Sequence, residues 1–514
     1  MASWMILTPP LLDATTLPLP MRSLTMGERL LTFFDTALVR LAAFVVLTPV
    51  LWNVLGETRF GVIVTATALA SLMDWPLRAF SATATRMLLA AVRVDDTVRL
   101  RRVVLMGWLL LSVLGLAIAA VLALQADSLV AALGIELALA PDASDYIVLT
   151  GLRIAAQASM STWQSAVLAA GLAGELGAVR GVRTLLEVLV CFLVATGAFS
   201  LRTLGVLELM IVALWGVALL LALRQAGEGW LPTLADLDWR TGRTLYANGA
   251  LEATQSTPFL LTFDVAVFVA ALVHGVELAA VLAVAANACR LSAGTALQVG
   301  ALIFNRIKGI GVSTPRVQRR WLVRRGTDAA LAVAGALTVL WGVMGTRVLA
   351  AWLDVPPPTG LGLGIAVLLP FAVASVVSVR YLVTVGMESH LGPIAAAELM
   401  LAVILCLGMI GPWGLGGAVL AITLAHVLTI GWRAPWTLCR DLRMSPLRFA
   451  RGRLWRFAIA VVPAVLGGMA LSGLRTVRGA RELLTIAIIC LIFQAVAAFT
   501  SWYVAAQRVG VEND

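Results

Sequence analysis

The sequence predicts an all-α polytopic membrane protein with about fourteen transmembrane helices. Two parallel six-helix halves are expected around a central cavity, followed by two C-terminal helices. The first observation is composition: 61% of the 514 residues are hydrophobic and 13% are charged, whereas soluble domains carry roughly 25% charge. Mean hydropathy is +0.95. The second is that long apolar runs recur along the whole chain, and the third is that they repeat in two sets.

The spans follow from the lengths of the apolar runs, because about 20 such residues cross a bilayer as a helix. We number fourteen predicted segments in chain order: 32–54, 60–84, 104–125, 146–169, 181–199, 203–223, 247–271, 277–303, 328–352, 361–385, 394–411, 414–434, 457–474 and 483–506.

The arginines predict the orientation, because cytoplasmic loops are rich in basic residues. Net charge is +10, and Lys308 is the one lysine. Basic residues cluster after segments 2, 8 and 12, and loops 306–326 and 436–456 are therefore expected in the cytoplasm with both termini. The charged residues of the loop 126–145 are all acidic. Arg475, Arg478 and Arg481 depart from this pattern. No nucleic-acid partner is expected, because the basic charge is explained by these loops.

Internal similarity indicates the two halves. Gly171, Leu176 and Gly177 match Gly386, Leu391 and Gly392 at one offset, and paired helical halves are typical of transporters. Chance similarity among Ala- and Leu-rich helices is the alternative. The predicted organisation is a cytoplasmic tail at 1–30, a six-helix half at 31–225, a cytoplasmic linker at 226–246, a six-helix half at 247–435, and a basic loop with two helices at 436–514.

Ionisable residues inside the predicted spans are unusually numerous, and such residues usually face a polar cavity or a partner. They are Asp35, Arg40, Asp74, Arg78, Arg153, Glu187, Glu252, Asp264, Arg290, Arg380 and Glu398. On segments 1, 2, 4 and 8 they share helical faces with other polar residues. A water-filled cavity is one interpretation, and hydrogen bonding within a tight bundle is the other.

The arginines are the candidate substrate-binding residues, because a guanidinium group matches phosphate oxygens in bidentate fashion. Arg290 lies near the middle of segment 8 and shares a face with Asn287 and Gln298. The remaining candidates are Arg40, Arg78 and Arg380 towards the cytoplasm and Arg153 towards the outside. The alternative is that each arginine pairs with an acid, as Asp74 and Arg78 could on their own helix.

Acidic residues are the candidates for coupling to an ion gradient. Glu252 and Asp264 flank Pro258, which should break segment 7, and Asp74 is the third candidate. Packing alone also explains such a break. No cofactor or metal is expected, because the three histidines are isolated in the sequence and no nucleotide-binding motif occurs. Five cysteines imply no disulfide framework.

The first helix pair carries a family resemblance. Leu55-Gly56 with Phe60-Gly61, then Asp74, then Arg86 resemble the entry of helix 2 in the polysaccharide flippase (Wzx-type) branch of the multidrug/oligosaccharidyl-lipid/polysaccharide (MOP) exporter superfamily. The stretch 167–190 is similar to that family's helix 4–5 junction. Trp75-Pro76 stands where that family has the glycine after its acidic residue.

The resemblance implies a bacterial inner-membrane flippase working by alternating access. Its substrate would be an undecaprenyl-pyrophosphate-linked oligosaccharide, a precursor of polysaccharide or O-antigen lipopolysaccharide. The implied partners are this lipid-linked anionic glycan, membrane lipid, a polysaccharide polymerase and glycosyltransferases.

Two other functions stay open. An ion-coupled multidrug or small-metabolite antiporter of the same superfamily would favour aromatic residues in the cavity. A membrane glycosyltransferase or polymerase would need catalytic acids in a sizeable outer loop, and only the acids of 126–145 are candidates. We therefore expect a transporter and not an enzyme.

Overall fold

A computed structural model of the chain describes residues 37–195, 200–227, 230–255, 261–308, 315–355, 360–385 and 391–453, with Met387, Phe457, Ala458 and Val461. The description covers the backbone alone at 37–46, 195, 251–255, 295, 298–308, 351 and 383–384. The predictions for the tail 1–30, Asp35, Pro258, segment 14 and most of segment 13 lie outside the described residues. So do those for the side chains of Arg40, Glu252 and Gln298.

The described part of the chain is 91% helix and contains no strand, which confirms the predicted all-α class. It divides into two compact units, residues 1–284 and 285–514. The count of fourteen spans and the arrangement in two six-helix halves stay predictions.

Unit 1 contains seven helices among its described residues, and an eighth begins in it. They are α1 (Ala37–Arg93), α2 (Thr97–Ala132), α3 (Ala140–Ala169), α4 (Ala173–Ala195), α5 (Leu201–Gln225), α6 (Trp239–Gln255), α7 (Leu261–His274) and the start of α8 (Val276–Lys308). A short 3-10 turn, Leu234–Asp236, precedes α6. The helix α3 packs against α1, α2 and α5 and forms the centre of the unit.

Local side-chain chemistry explains where several of these helices begin. Asp96 precedes α2 and accepts a hydrogen bond from the Arg99 backbone N–H, and Ser200 precedes α5 and accepts one from Thr203. These are N-caps, which satisfy N–H groups that have no partner within the helix. The long helix α1 is broken at Gly56, whose φ of 78° suits glycine.

Unit 2 continues α8 and contains α9 (Arg316–Leu340), α10 (Thr346–Leu353), α11 (Leu361–Thr384), α12 (Gly392–Leu428) and α13 (Ile430–Asp441). Residues 446–453 are helical as well. A π-helical turn, Trp341–Gly345, joins α9 to α10. Like α1, α12 is broken at a glycine: Gly414 has φ 54° and ψ −139°. The arms before and after Gly414 correspond to predicted segments 11 and 12.

Seven helical stretches in the described residues are long and apolar enough to cross a membrane: Leu47–Arg93, Thr97–Ala132, Leu201–Gln225, Val276–Gly294, Arg316–Ala350, Leu361–Leu382 and Gly392–Asp441. The first and last of them each include two predicted segments. Helix ends extend past several predicted boundaries. For example, α2 runs seven residues beyond each end of segment 3, because helical propensity continues where hydropathy falls.

Candidate functional site

The interior of unit 1 contains an ion pair that joins two helices. Arg153 on α3 donates from Nη1 to Glu208 Oε2 on α5 at 2.7 Å, and both side chains are buried. Tyr146, two turns before Arg153 on the same face of α3, donates its hydroxyl to the same oxygen at 3.4 Å. Both charges of the pair are therefore balanced inside the unit.

A second pair, with a half-buried arginine and a buried glutamate, lies on α4. Arg183 donates to Glu187 at 2.9 Å, one turn apart on the same helix. The Arg183 guanidinium also lies over the Trp215 ring of α5, 4.9 Å from its centroid. The predicted intramembrane acid Glu187 thus has an arginine partner, as the alternative of packing within the bundle expects.

The polar face predicted on segment 2 is satisfied largely by local contacts. Asp74 and Arg78 pair on their own helix at 2.6 Å, as the alternative interpretation expected. Thr67 and Ser71 donate to backbone carbonyls four residues earlier, and Thr85 also lies 2.7 Å from Ser165 of α3. Hydrogen bonds of this kind let polar side chains pack without water.

Arg290 lies near the middle of α8, within unit 2, and is buried. Its Nη1 donates to Asn287 Oδ1 at 3.2 Å, so the two residues that share a predicted face also touch. Space is open at Gly294, one turn further along, because a Cβ atom built there meets no heavy atom within 4 Å. The structure therefore combines a buried guanidinium group, an amide partner and free volume on one helix.

The other predicted site residues are placed separately. Asp264 is buried in the first turn of α7, and Arg380 is half-buried on α11. The backbones of Arg40, Glu252 and Gln298 lie in α1, α6 and α8. Among the described residues, no group of three or more His, Cys, Asp or Glu side chains is placed to hold a metal ion.

Unit 2 contains a buried network that the sequence analysis missed. His426 Nδ1 lies 2.8 Å from Glu398 Oε1, and His426 Nε2 lies 2.8 Å from Ser375 Oγ. His426 is isolated in the sequence, and it meets Glu398 because the two arms of α12 fold against each other. The sequence showed only that Glu398 lies on an apolar helix before Gly414 and that His426 lies on one after it.

A separate cluster lies at the ends of α9, α11 and α13. Arg319 donates to the Tyr381 hydroxyl at 3.2 Å and lies 3.6 Å from Asp441. Arg320 donates to the carbonyl groups of Leu442 and Arg443 at 2.6 and 3.2 Å. These contacts join the start of one predicted cytoplasmic loop to the next one, and they explain why α13 continues into the predicted loop 436–456.

The segment before α6 is held by a second group of polar contacts, outside the spans. Asp236 accepts from the Thr233 backbone N–H at 2.8 Å and from Arg101 of α2 at 3.3 Å. The hydrogen bond from the Thr233 N–H is the main reason that the pKa of Asp236 lies below its ordinary value, and Arg101 adds to the effect.

Comparison with known proteins shows the fold. No protein-family model matches the chain, and no curated protein sequence matches it. The lipid II flippase MurJ, in an inward closed conformation, is similar with a TM-score of 0.69 at 11% identity, over 94% of this chain and 100% of that one.

Two other solved structures are similar at a TM-score of 0.55. One is a multidrug resistance MATE family transporter of the MOP superfamily in an inward-facing conformation, at 16% identity over 79% of this chain and 99% of that one. The other is a eukaryotic MATE transporter, at 12% identity over 84% of this chain and 100% of that one. The chain therefore has the fold seen in these MATE and MurJ transporters.

Proposed function

We propose that the chain is a flippase of the bacterial inner membrane. Its substrate is an anionic lipid-linked glycan, an undecaprenyl-pyrophosphate-linked oligosaccharide, which it moves by alternating access. The chain shares its fold with a lipid II flippase over 94% of its length, and this supports a lipid-linked substrate. The observation that carries the proposal is Arg290, a buried guanidinium group at the middle of a membrane helix.

Arg290 suits a pyrophosphate group for physical reasons. An arginine at bilayer mid-depth costs at least ~2.5 kcal/mol on insertion scales, and binding of an anionic pyrophosphate group would offset part of that cost. Asn287 supports the guanidinium from one side, and the open space at Gly294 leaves room on the same helix. A planar fork of donors binds two phosphate oxygens at once, which the point charge of a lysine cannot do.

The other candidate arginines have different roles in this proposal, because a carboxylate already holds two of them. Arg78 and Arg153 are already held by Asp74 and Glu208, so either could bind substrate only by exchanging its carboxylate partner for phosphate. Arg40 and Arg380 would receive the head group from the cytoplasmic side, and Gln298 would extend the polar face of Arg290. Coupling to a proton or sodium gradient is assigned to Asp264 and Glu252, with Asp74 as a third acid.

The test is flipping in proteoliposomes that contain a fluorescent undecaprenyl-pyrophosphate oligosaccharide. A membrane-impermeant quencher reports the fraction on the outer face. We expect Arg290→Lys to flip about tenfold more slowly, because one charged hydrogen bond is lost. The matched control is Arg202→Ala, an exposed arginine in a 3.7 Å surface pair, which should flip at the wild-type rate. Equal rates for Arg290→Ala and wild type would remove Arg290 from the binding site.

Coupling has its own test in the same vesicles. Asp264→Asn should flip at one rate with and without a proton or sodium gradient, at unchanged protein yield. The exposed acid Glu136, changed to glutamine, is the matched control and should keep the wild-type response. A wild-type response in Asp264→Asn would take that acid out of the mechanism.

An ion-coupled multidrug antiporter is the second candidate, and the two MATE neighbours are the observation that favours it. Many such drugs are cationic, and a buried arginine repels a cation. Vesicles loaded with a cationic dye separate the two functions. Dye export without glycan flipping would replace the flippase proposal by the antiporter.

A further inference from the structure

The buried network of unit 2 is a complete site built from three helical segments. Ser375 lies on α11, Glu398 on the first arm of α12, and His426 on its second arm. None of the three residues is more than 2% exposed. Burying an acid and an imidazole together is costly unless every polar atom finds a partner, so these contacts require an explanation.

The break at Gly414 creates the juxtaposition. Glu398 lies 16 residues before it and His426 lies 12 residues after it, which correspond to about 24 Å and about 18 Å of helix. At Gly417 the arms approach so closely that a Cβ atom would collide with the Met409 carbonyl oxygen. The two arms therefore run side by side and bring the titratable side chains to similar depths.

With one proton bound to the pair, both ring nitrogens of His426 and the Ser375 hydroxyl have hydrogen-bond partners. The Ser375 hydroxyl donates to the Ala372 carbonyl at 2.9 Å, which leaves its lone pair to accept from His426 Nε2–H. The proton between Nδ1 and Glu398 then belongs to either partner, as imidazolium with carboxylate or as imidazole with carboxylic acid. Both forms are electrically neutral overall.

Loss of that proton also leaves a satisfied site, because a hydroxyl is both a donor and an acceptor. The Ser375 hydroxyl turns from Ala372 to donate to His426 Nε2, while Nδ1–H donates to the Glu398 carboxylate. The site then carries one net negative charge. A buried net charge is unfavourable, so the deprotonated form favours opening of the packed arms to water.

Among the titratable groups on neighbouring helices, Tyr381, Asp441 and Arg433 have contacts outside the Glu398–His426 pair. The described titratable residues on α11 and α13, which pack against α12, are Arg380, Tyr381, Arg433, Cys439, Arg440 and Asp441. Tyr381 and Asp441 belong to the Arg319 cluster, and Arg433 is exposed over the Trp432 ring. Cys406 is the remaining described titratable residue of α12. The carboxylate that the imidazole contacts is thus Glu398.

We propose that Glu398, His426 and Ser375 form a proton-binding site of unit 2. One proton enters the Glu398–His426 pair from water and later returns to water, and Ser375 completes the hydrogen bonding in both states. The use of this proton in coupling rests on the proposed transport function, but its binding does not. The site differs from the arginine-paired acids of unit 1, Asp74, Glu187 and Glu208, because its partner group can itself release a proton.

The test is nitrogen NMR of His426 in the purified, substrate-free chain. The sequence has three histidines, so His274→Gln with His390→Gln leaves one labelled ring. We expect His426 Nε2 to change from protonated to unprotonated as the pH of the sample is raised over the range from about 4 to about 10. An Nε2 signal that stays unchanged over this range would overturn the proposal.

Variants of the partner residues test the hydrogen-bond scheme. Ser375→Ala removes the hydroxyl that partners His426 Nε2 in both protonation states, so we expect the pH at which Nε2 changes state to move away from the wild-type value. The matched control is Ser378→Ala, which removes a nearby α11 serine that donates to Ala374 and should leave the titration unchanged. Glu398→Gln should shift the titration by at least about tenfold. Equal shifts for the two serine variants, or none in Glu398→Gln, would contradict the scheme.

Because the NMR measurement uses neither glycan nor membrane gradient, the two proposals fail separately. Titration of His426 without flipping would leave the proton site and remove the flippase. Flipping without titration of His426 would leave the flippase and remove the proton site. The Ser375→Ala and Ser378→Ala comparison still decides the matter if Glu398→Gln does not fold.

Discussion

The two units each bury a carboxylate in the last three segments of a predicted half, but they neutralise it differently. In unit 1 Glu208 is held by Arg153, and an arginine keeps its proton at any accessible pH. In unit 2 Glu398 is held by His426, whose ring can lose one. The first pair is a fixed link between helices, whereas the second is the pair for which we propose proton exchange.

The largest effect should come from breaking the fixed pair. Glu208→Gln leaves the buried guanidinium of Arg153 uncompensated, and we expect a loss of about 3–5 kcal/mol in the free energy of unfolding. Reversible unfolding of the detergent-solubilised protein measures this. The control is Asp145→Asn, which breaks the exposed pair with Arg202 and should cost below about 1 kcal/mol. Equal losses would show that the buried pair of unit 1 is not a structural link.

Replacing one glycine in each unit by alanine should change the free energy of unfolding less, and the two changes should have opposite signs. A Cβ atom at Gly61 would lie 2.3 Å from the Val276 carbonyl oxygen, so Gly61→Ala should cost about 1–3 kcal/mol. Gly294 has open space and lies in a helix, so Gly294→Ala should gain about 0.5–1 kcal/mol. The same unfolding measurement tests both. Destabilisation by Gly294→Ala would show that the space next to Arg290 is filled.

The smallest effect concerns the polar segment before α6. Asp236→Ala removes the side chain that accepts from Thr233, and we expect a loss of about 1 kcal/mol. Since the pKa of Asp236 is lowered on folding, its stabilisation is present above the ordinary value of 3.8 and is lost as pH falls through the lower folded value. Stability curves of wild type and Asp236→Asn should therefore converge at acid pH. Curves that stay parallel would contradict the assignment.

The helices could be predicted from the sequence because hydropathy is a local property. The twelve predicted segments up to residue 434 coincide with described helical residues, including the breaks at Gly56 and Gly414. The ends were predicted less well: α4 begins at Ala173, where the prediction has a loop before residue 181. Helices continue beyond the bilayer wherever polar residues still favour the helical backbone.

Contacts within the candidate sites also divide into local ones, which could be predicted, and ones distant in the sequence, which could not. The Asp74–Arg78 pair was foreseen as an alternative, because residues four apart meet on any helix. Glu208 was overlooked, and its contact with Arg153 joins residues 55 positions apart. His426 and Glu398 are 28 positions apart on two arms of α12. Such contacts depend on how helices pack, and periodicity along one helix carries no information about that.

The most direct test of the difference between the units is the response of flipping to a proton gradient in Glu398→Gln. Wild-type and variant proteoliposomes are assayed with and without the gradient, and His274→Gln, an exposed histidine, serves as control. We expect the gradient to accelerate flipping in wild type and in the control, and Glu398→Gln to flip at one rate in both conditions. Wild-type acceleration in Glu398→Gln would leave coupling to the proposed acids of unit 1 and contradict a contribution of the unit 2 proton to transport.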